Sequence, residues 1–489
     1  MATVFVVGAG PAGLFAAQKL ALAGHEVMIF NRDVKPGGLA EYGIYPVKDK
    51  MKVGLRKQFA KVLGLPNVHY FGHVPVGANS PVSIDTLGEL KPAAMVFAVG
   101  AQGTKKLGLP GEDALGVYSA KDFVYYYNQL PPFASQDFST GKRVAIVGMG
   151  NVMVDIARWL LLDDPTHNVE EIIVVARRGP LEAKFDDKEF EHIHMYLDRQ
   201  AFRDELLRVQ ERMTAVGQDV SKIPQETFLC LAKHPEQRSV GPRLTFRFMN
   251  SPVAITAGAD GRIARLTVAE NILVNRDDSI AAKVTEKTTD LEVDTMIFAI
   301  GDMHDPSVGL PFGKEGYVTN PEPVDPKAGY EVFDPAFRKV SEGIFVVGWA
   351  RKPSEGLVGI ARHDGEVGAA HVAQYLRGMQ PPRSASADDI ARALAAKGIR
   401  FVSKSDLSLL ARAEEREAQS RGVTYYKFSD DGVMLTKIER EKSASRKEAT
   451  EKAPNSPVAR YQEMAADKER AGKASEWSEG LIGDVSSQK

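Results

Sequence analysis

Two glycine-rich motifs of one type occur in this 489-residue chain, and each follows an apolar run and opens a helical pattern. In such a strand–turn–helix context the glycines let the backbone approach a pyrophosphate, and the start of the helix supplies N–H donors. Two motifs therefore predict two bound dinucleotides, and the economical interpretation is a flavin and a nicotinamide placed for hydride transfer. The residues concerned are Gly8, Gly10, Pro11, Ala12 and Gly13 in the first motif, and Gly148, Gly150, Asn151 and Val152 in the second.

A short glycine motif can also do no more than pack a helix against a strand. That alternative is weak for the first motif, which has the full strand–turn–helix context. It is stronger for the second, because Met153 stands where a small third residue would permit close packing of the helix on the strand.

The bulk composition excludes several classes of protein. A formal net charge of -2, with 62 basic and 64 acidic residues, gives no reason to expect a nucleic-acid partner or an anionic membrane surface. The single cysteine, Cys230, excludes a chain-encoded iron–sulfur cluster and a redox-active disulfide, and it favours a reducing, cytoplasmic location. No apolar run is long enough to span a bilayer. His192 and His194 lack a metal-binding pattern and are predicted to be surface residues, so no metal site is predicted.

The pattern of strands and helices predicts an α/β protein with two Rossmann-like dinucleotide-binding domains. Two similar strand endings, "VFAVGA" before residue 102 and "IFAIGD" before residue 303, indicate that the NAD(P)-binding domain is inserted in the FAD-binding domain. The predicted segments are 1–104 and 304–380 for the FAD domain, 105–303 for the NAD(P) domain, 381–440 for a C-terminal extension, and 441–489 for a tail that is disordered or binds a partner.

Two features suggest which nucleotides are bound. The strand Val27–Phe30 ends at Asn31, at the distance from the first glycines that suits an adenosine ribose. The strand Ile172–Ala176 is followed by Arg177 and Arg178, whereas an NAD-specific site would usually carry an acidic residue there. Guanidinium groups match a 2′-phosphate, so NADP is predicted and NAD is the alternative.

Further motifs resemble those of adrenodoxin reductase and its bacterial relatives, the ferredoxin–NADP reductases. Pro36-Gly37-Gly38-Leu39, Tyr42-Gly43 and Pro46 resemble the family's PxGLxxxGxxP turn beside the flavin. The second glycine motif and Arg177–Leu181 resemble its NADP loop and 2′-phosphate site, and Gly348-Trp349 with Gly356 resemble its final flavin motif. The resemblance covers roughly residues 2–436 and implies a flavoprotein that transfers electrons between NADP(H) and a ferredoxin-like iron–sulfur protein.

The resemblance also implies the remaining site residues. Trp349 would cover the nicotinamide edge, backbone N–H groups near Gly356 would face the flavin N1/O2 edge, and Glu189 falls where the family has a glutamate near the nicotinamide. Arg243 and Arg247 lie in a segment similar to the family's basic docking region, although ordinary strand-edge charges explain them equally well. The implied FAD-binding residues, with those of the first motif and Asn31, are Gly38, Leu39, Gly100, Gly348, Trp349, Gly356, Leu357 and Val358.

This chain departs from the family pattern at two places, and the second affects the expected partner. The family usually has an acidic residue where this chain has Asn31, and an Asp-His pair where it has Val47-Lys48. Lys48 is therefore a third catalytic candidate beside Trp349 and Gly356. The stretch Gly43–Lys48 is closer to the small subunit of glutamate synthase. An alternative function is thus an NAD(P)-reactive flavoprotein subunit of a larger iron–sulfur oxidoreductase, of the glutamate synthase or 2-oxoacid:ferredoxin oxidoreductase type. A non-catalytic flavin-binding scaffold is a third, weaker hypothesis.

Overall fold

A sheet of five parallel strands with one antiparallel edge strand forms the core of the first domain in the computed structural model. The structure describes residues 1–451 except 235–239, 277–278, 315, 324–328 and 355. The parallel strands of this sheet are almost continuously apolar, as expected for strands covered on both faces. The first part of the chain contains β1 (Thr3–Val7), α1 (Pro11–Leu22), β2 (Glu26–Asn31), α2 (Leu39–Tyr42), α3 (Asp49–Leu63), β3 (Val68–Gly72), α4 (Ile84–Glu89), β4 (Ala94–Phe97) and β5 (Gly103–Thr104).

The second domain follows in the chain and contains a second parallel sheet, with an antiparallel sheet beside it. Its elements are β6 (Val117–Ser119), α5 (Ala120–Tyr127), β7 (Arg143–Val147), α6 (Asn151–Arg158), β8 (Glu171–Val175), α7 (Asp187–Phe190), α8 (Arg199–Thr214), α9 (Ile223–Glu226), α10 (Cys230–Lys233), β9 (Arg243–Arg247), β10 (Asn250–Ala257), β11 (Ile263–Arg276), β12 (Ser279–Glu292) and β13 (Thr295–Phe298).

The chain then returns to the first domain and completes its sheet. The remaining elements are β14 (Asp302–Met303), β15 (Phe312–Gly313), β16 (Gly316–Tyr317), β17 (Glu331–Asp334), β18 (Lys339–Val346), α11 (Val358–Arg377), α12 (Ala387–Ala396), α13 (Lys404–Arg421) and α14 (Asp431–Glu451).

The order of the strands shows how one domain is inserted in the other. The first sheet has the order β17-β18-β4-β1-β2-β3, and the second has the order β6-β13-β7-β8-β9. The two connections between the domains run side by side, since β5 and β14 pair antiparallel with Thr104 opposite Asp302. The predicted fold class, two Rossmann-like domains with one interrupting the other, is confirmed.

The two sheets carry the nucleotide motifs at the carboxyl ends of the parallel strands β1 and β7. Parallel sheets of this type bind their ligands at that edge. Helix α1 packs against α11, and the small residue Gly365 lets the helices approach, since a Cβ added there would lie 2.2 Å from the carbonyl oxygen of Ala12. The beginning of α11 is thereby held close to the beginning of α1.

The C-terminal region is mostly helical and contains α12, α13 and α14. Helix α12 starts at a capping box formed by Ser386 and Asp389, and it buries Ile390 and Leu394 in the core of the first domain. Helices α13 and α14 belong to a separate compact unit that starts at Lys404. Of the segment 441–489, predicted to be disordered or to bind a partner, residues 441–451 continue α14. The rest of that tail lies outside the described residues.

Candidate active site

The first nucleotide cradle is a tight turn between β1 and α1. Gly8 has φ +104°, and a Cβ there would lie 2.5 Å from the carbonyl oxygen of Ala98. Gly10 is extended and caps α1, with Pro11 as the first helical residue. A Cβ on Gly10 would meet no atom within 4 Å. The turn therefore leaves open space above the first N–H groups of the helix, which suits the phosphates of a dinucleotide.

A second glycine loop closes one side of this cradle. The Gly37 N–H donates to the carbonyl oxygen of Ala9 over 2.8 Å, and a Cβ on Gly38 would lie 3.1 Å from the Cα of Gly10. Leu39 follows and packs against a cluster of Tyr42, Tyr125 and Leu130. The predicted flavin-side residues Gly38 and Leu39 thus lie directly beside the first motif.

Asn31 lies at the end of β2, as predicted, but its side chain is turned inward. Its Oδ1 accepts a hydrogen bond from the N–H of Ala9 over 2.9 Å, and its Nδ2 donates to the carbonyl oxygens of Asp33 and Lys35. The side chain therefore braces the glycine turn. Since both amide hydrogens are used internally, only the remaining lone pair of Oδ1 is left for a ribose hydroxyl.

The final flavin motif is fixed by a carboxylate that the sequence did not single out for this purpose. Asp364 lies in the second turn of α11 and accepts hydrogen bonds from the N–H of Gly348 over 2.5 Å and from the hydroxyl of Tyr330 over 3.1 Å. It also forms an ion pair with Arg351. These contacts hold the turn that carries the half-buried Trp349.

The start of α11 offers backbone donors next to the first cradle. Gly356 has φ +71°, and Leu357 caps the helix, whose first residue is Val358. Leu357 is 72% exposed. A side chain on Gly348 would meet Ala12 of α1, with 2.5 Å between the two Cβ atoms. The motifs around residues 8–13 and 348–358 are therefore brought together, and Gly100, with φ +72°, follows β4 at the same edge of the sheet.

The second cradle repeats the first between β7 and α6. Gly148 has φ +119°, and a Cβ there would lie 2.2 Å from the carbonyl oxygen of Ala299. Gly150 is extended and has open space on its Cβ side. Asn151 accepts a hydrogen bond from the N–H of Asp186 over 2.7 Å, and Val152 is exposed. Met153 is completely buried in the domain core, so it does not prevent the helix from starting at the cradle.

The two arginines after β8 are available for an anion. Arg177 is exposed, and Arg178 is half-buried with its guanidinium 3.4 Å from the carbonyl oxygen of Ile280 near the turn between β11 and β12. In the part of the chain that the structure describes, neither arginine forms an ion pair with a carboxylate. Two unpaired guanidinium groups beside a dinucleotide cradle suit a 2′-phosphate.

Lys48 and Glu189 form an ion pair across the two domains. The Lys48 Nζ lies 2.6 Å from Glu189 Oε1, and both side chains are half-buried. Burial raises the pKa of the neighbouring Asp155 from 3.8 to about 6, and the positive charge of Lys48 opposes that rise. Both candidates named from the sequence thus meet in one charged cluster that also includes Arg158.

The raised pKa of Asp155 gives a pH-dependent prediction. The folded state holds the proton more tightly than the unfolded state, so ionised Asp155 destabilises the fold, and stability is lost as the pH rises from about 4 to 6. Asp155→Asn should therefore raise the melting temperature at pH 7, and the gain should shrink as the pH falls to 4.5. Thermal unfolding without nucleotide, with the exposed Asp113→Asn as control, measures this. A gain that does not depend on pH would contradict the assignment.

The prediction that His194 is a surface residue is wrong. His194 is buried, with its Nδ1 2.7 Å from the carbonyl oxygen of Glu191. Arg247 lies 3.4 Å from the buried carboxylate of Glu205, and Arg243 lies 3.2 Å from Glu171, as expected for paired charges at a strand edge. Among residues 1–451 as described, no three histidine, cysteine or carboxylate side chains are placed to hold a metal.

Comparison with known proteins decides the family. Residues 2–310 match the family model "Pyridine nucleotide-disulphide oxidoreductase". The chain belongs to that family. The match contains both glycine cradles, the Lys48–Glu189 pair and the arginine pair, and it ends after the strand pair that joins the domains. The resemblance inferred from the sequence motifs is confirmed by the relatives of the chain within this family.

Those relatives extend over most of the chain. It is 29% identical over 470 residues to the NADPH-ferredoxin reductase FprA of Mycobacterium leprae, covering 88% of this chain and 97% of that protein. It is 28% identical over 472 residues to the mitochondrial NADPH:adrenodoxin oxidoreductase of Bos taurus, covering 88% and 91%. The structure of Mycobacterium tuberculosis FprA in complex with NADPH superposes with a TM-score of 0.72 at 26% identity, covering 90% and 99%.

No helix in the described ranges is both long enough and apolar enough to cross a membrane.

Proposed function

We propose that this protein is an FAD-dependent oxidoreductase that transfers electrons between NADP(H) and a one-electron, ferredoxin-like iron–sulfur protein. One observation carries the proposal: two open glycine cradles lie at the beginnings of α1 and α6, and beside the second are two arginines that form no ion pair with a carboxylate among the described residues. The names of the relatives, an NADPH-ferredoxin reductase and an NADPH:adrenodoxin oxidoreductase, support the same cofactor and partner.

The residues present fit both nucleotides. A side chain at Gly10 or Gly150 would fill the space over a helix start, where a diphosphate can reach the first N–H groups of the helix. FAD, when bound, accepts two electrons as hydride from the nicotinamide and passes them singly to an iron–sulfur partner. The chain itself binds and orients the groups that take part in this reaction.

Each part of the site then has a task. The N–H groups that start α1 and α6 hold the two diphosphates, and Arg177 and Arg178 bind the 2′-phosphate. Asp364 fixes the Gly348 turn so that Trp349 lies beside the nicotinamide. Lys48 and Glu189 would lie on the side of the nicotinamide pocket opposite Trp349. The positive charge of Lys48 also partly offsets the raised pKa of Asp155.

A reconstituted electron-transfer chain tests the proposal. The purified protein should be yellow, release FAD on denaturation, and reduce a plant-type or vertebrate-type [2Fe–2S] ferredoxin with NADPH, as followed by cytochrome c reduction. Omission of the ferredoxin should abolish most of the cytochrome c signal, while a small dye should still be reduced. A protein that does not take up FAD, or that reduces dyes but no ferredoxin, would contradict the proposal.

The alternative is a permanent flavoprotein subunit of a larger iron–sulfur oxidoreductase, and Lys48 at the family's histidine position is the observation that favours it.

Removal of residues 452–489 is an experiment that distinguishes the two proposed functions, because those residues lie beyond α14 and outside the family match. We expect unchanged FAD content and unchanged dye reduction after this truncation. Loss of a co-purifying iron–sulfur polypeptide on truncation would support the alternative, and loss of FAD would show that these residues belong to the catalytic core. We place the protein in the cytoplasm, on the support of its single, buried thiol.

A further inference from the structure

Tyr45, a residue of the first domain, has its side chain in the core of the second. It lies in the loop between α2 and α3, seven residues after Gly38. Its side chain is completely buried and belongs to the hydrophobic cluster formed by α5, α6, β7 and β8. A large aromatic side chain in that position joins the two domains, since its removal would leave a cavity on the nicotinamide side of the boundary.

Three contacts fix the ring and the hydroxyl of Tyr45. The ring of Tyr127 meets it edge-on, with 6.3 Å between centroids. The Arg158 guanidinium lies 4.5 Å from the ring centroid, and the Tyr45 hydroxyl donates a hydrogen bond to Asp163. Burial and the nearby carboxylate raise the pKa of Tyr45, so the hydroxyl keeps its proton and stays a donor.

The partners of Tyr45 lie at the end of the helix that begins at the second cradle. Helix α6 starts after Gly150 and ends at Arg158, and a π-helical turn continues it from Trp159 to Asp163. Short π-helical segments often occur at functional sites. This continuous helix therefore begins at the nicotinamide-nucleotide cradle and contacts Tyr45 through residues at its end.

The other side of Tyr45 is tied to the first cradle. Gly38, the residue before α2 and so one short helix before this loop, lies against Gly10. Lys48, three residues after Tyr45, forms the ion pair with Glu189. The loop thus connects the two cradles, and Tyr45 is its most deeply buried contact with the second domain.

We propose that Tyr45 is a positioning residue, which anchors the flavin-side loop on the end of α6 and so sets the distance between nicotinamide and flavin. The proposal rests on the proposed function, because it assumes that NADPH reduces a bound flavin. Hydride transfer depends steeply on the alignment of donor and acceptor, and a displacement of about 1 Å from a distant mutation costs up to about a hundredfold in rate. The sequence motifs span Tyr45 without giving it a role, because its partners are up to 118 residues away.

Anaerobic stopped-flow reduction of the holoenzyme by NADPH tests this. The dependence of the flavin reduction rate on NADPH concentration gives a limiting rate and a dissociation constant. We expect Tyr45→Ala to lower the limiting rate by about tenfold to a hundredfold, with FAD content unchanged and the dissociation constant within about threefold. Tyr45→Phe and Asp163→Asn keep the ring and should each lower the rate by a smaller factor. NADPH deuterated at the transferred position should give a kinetic isotope effect at least as large as in wild type.

Tyr126→Ala is the matched control, because Tyr126 packs in the same aromatic cluster on Phe138 and Trp159. It should leave the limiting rate near that of wild type. A wild-type rate in both Tyr45→Phe and Tyr45→Ala would overturn the positioning role, as would an equal loss in Tyr126→Ala. If Tyr45→Ala does not fold, Tyr45→Phe and Asp163→Asn decide alone, and unchanged rates in both overturn the proposal. A wild-type flavin that NADPH does not reduce would instead overturn the proposed function.

Discussion

Gly10→Val should yield a folded protein that has lost nearly all of its FAD. Gly10 is extended, with φ -77° and ψ -178°, so a valine can adopt its backbone conformation. A Cβ there meets no protein atom within 4 Å, so the new side chain occupies only the space over the start of α1. Overpacking costs about 1–3 kcal/mol, and each displaced charge-assisted hydrogen bond to phosphate costs about 1.5–3 kcal/mol. Binding should therefore weaken by about a hundredfold or more.

The matched control for this variant is Gly54→Val. Gly54 lies in α3, and it too has no atom within 4 Å of an added Cβ. The measurement is the ratio of flavin to protein absorbance after purification, followed by titration of the apoprotein with FAD. A Gly10→Val protein that keeps its FAD would show that the diphosphate lies elsewhere. A colourless Gly54→Val protein would show that the loss is not specific to the cradle.

The cradles could be predicted because every residue that forms them is close in sequence. A glycine that needs a positive φ, an extended glycine that leaves space, and a helix start follow one another within six residues in Gly8–Gly13. Local spacing of this kind is visible in a single sequence. The insertion of one domain in the other could be predicted for the same reason, since each domain ends with a similar apolar strand before a glycine.

The contacts that unite these local motifs could not be predicted. Lys48 and Glu189 are 141 residues apart, and Tyr45 and Asp163 are 118 residues apart. Nothing in the residue types at those positions identifies the partner, because a lysine, a glutamate and a tyrosine are all common on ordinary surfaces. Asp364 shows the same difficulty, since an acid near the beginning of a helix has a sufficient local explanation. Only the packing of α11 against α1 brings its carboxylate to the N–H of Gly348.

Replacement of both Arg177 and Arg178 by alanine should convert the protein from a preference for NADPH to one for NADH. The two guanidinium groups follow β8 and have no carboxylate partner within the described ranges, so a 2′-phosphate would give each its first charged contact. Each charge-assisted contact is worth about 1.5–3 kcal/mol, which corresponds to roughly 10- to 150-fold in kcat/KM. The double variant should lose more than about a hundredfold with NADPH, and with NADH it should change little.

The single variants distinguish how the two arginines act. Arg178 is steadied by the carbonyl oxygen of Ile280, so it loses less conformational freedom on binding phosphate than the exposed Arg177 does. We therefore expect Arg178→Ala to raise KM for NADPH more than Arg177→Ala, with kcat similar in both, because the 2′-phosphate is remote from the hydride. Arg265→Ala, which removes an exposed arginine paired with Asp290, is the control and should leave both cofactors unaffected. Equal losses for NADPH and NADH in the double variant would mean that these arginines support the fold of the loop. A wild-type preference for NADH would make NAD the physiological nucleotide.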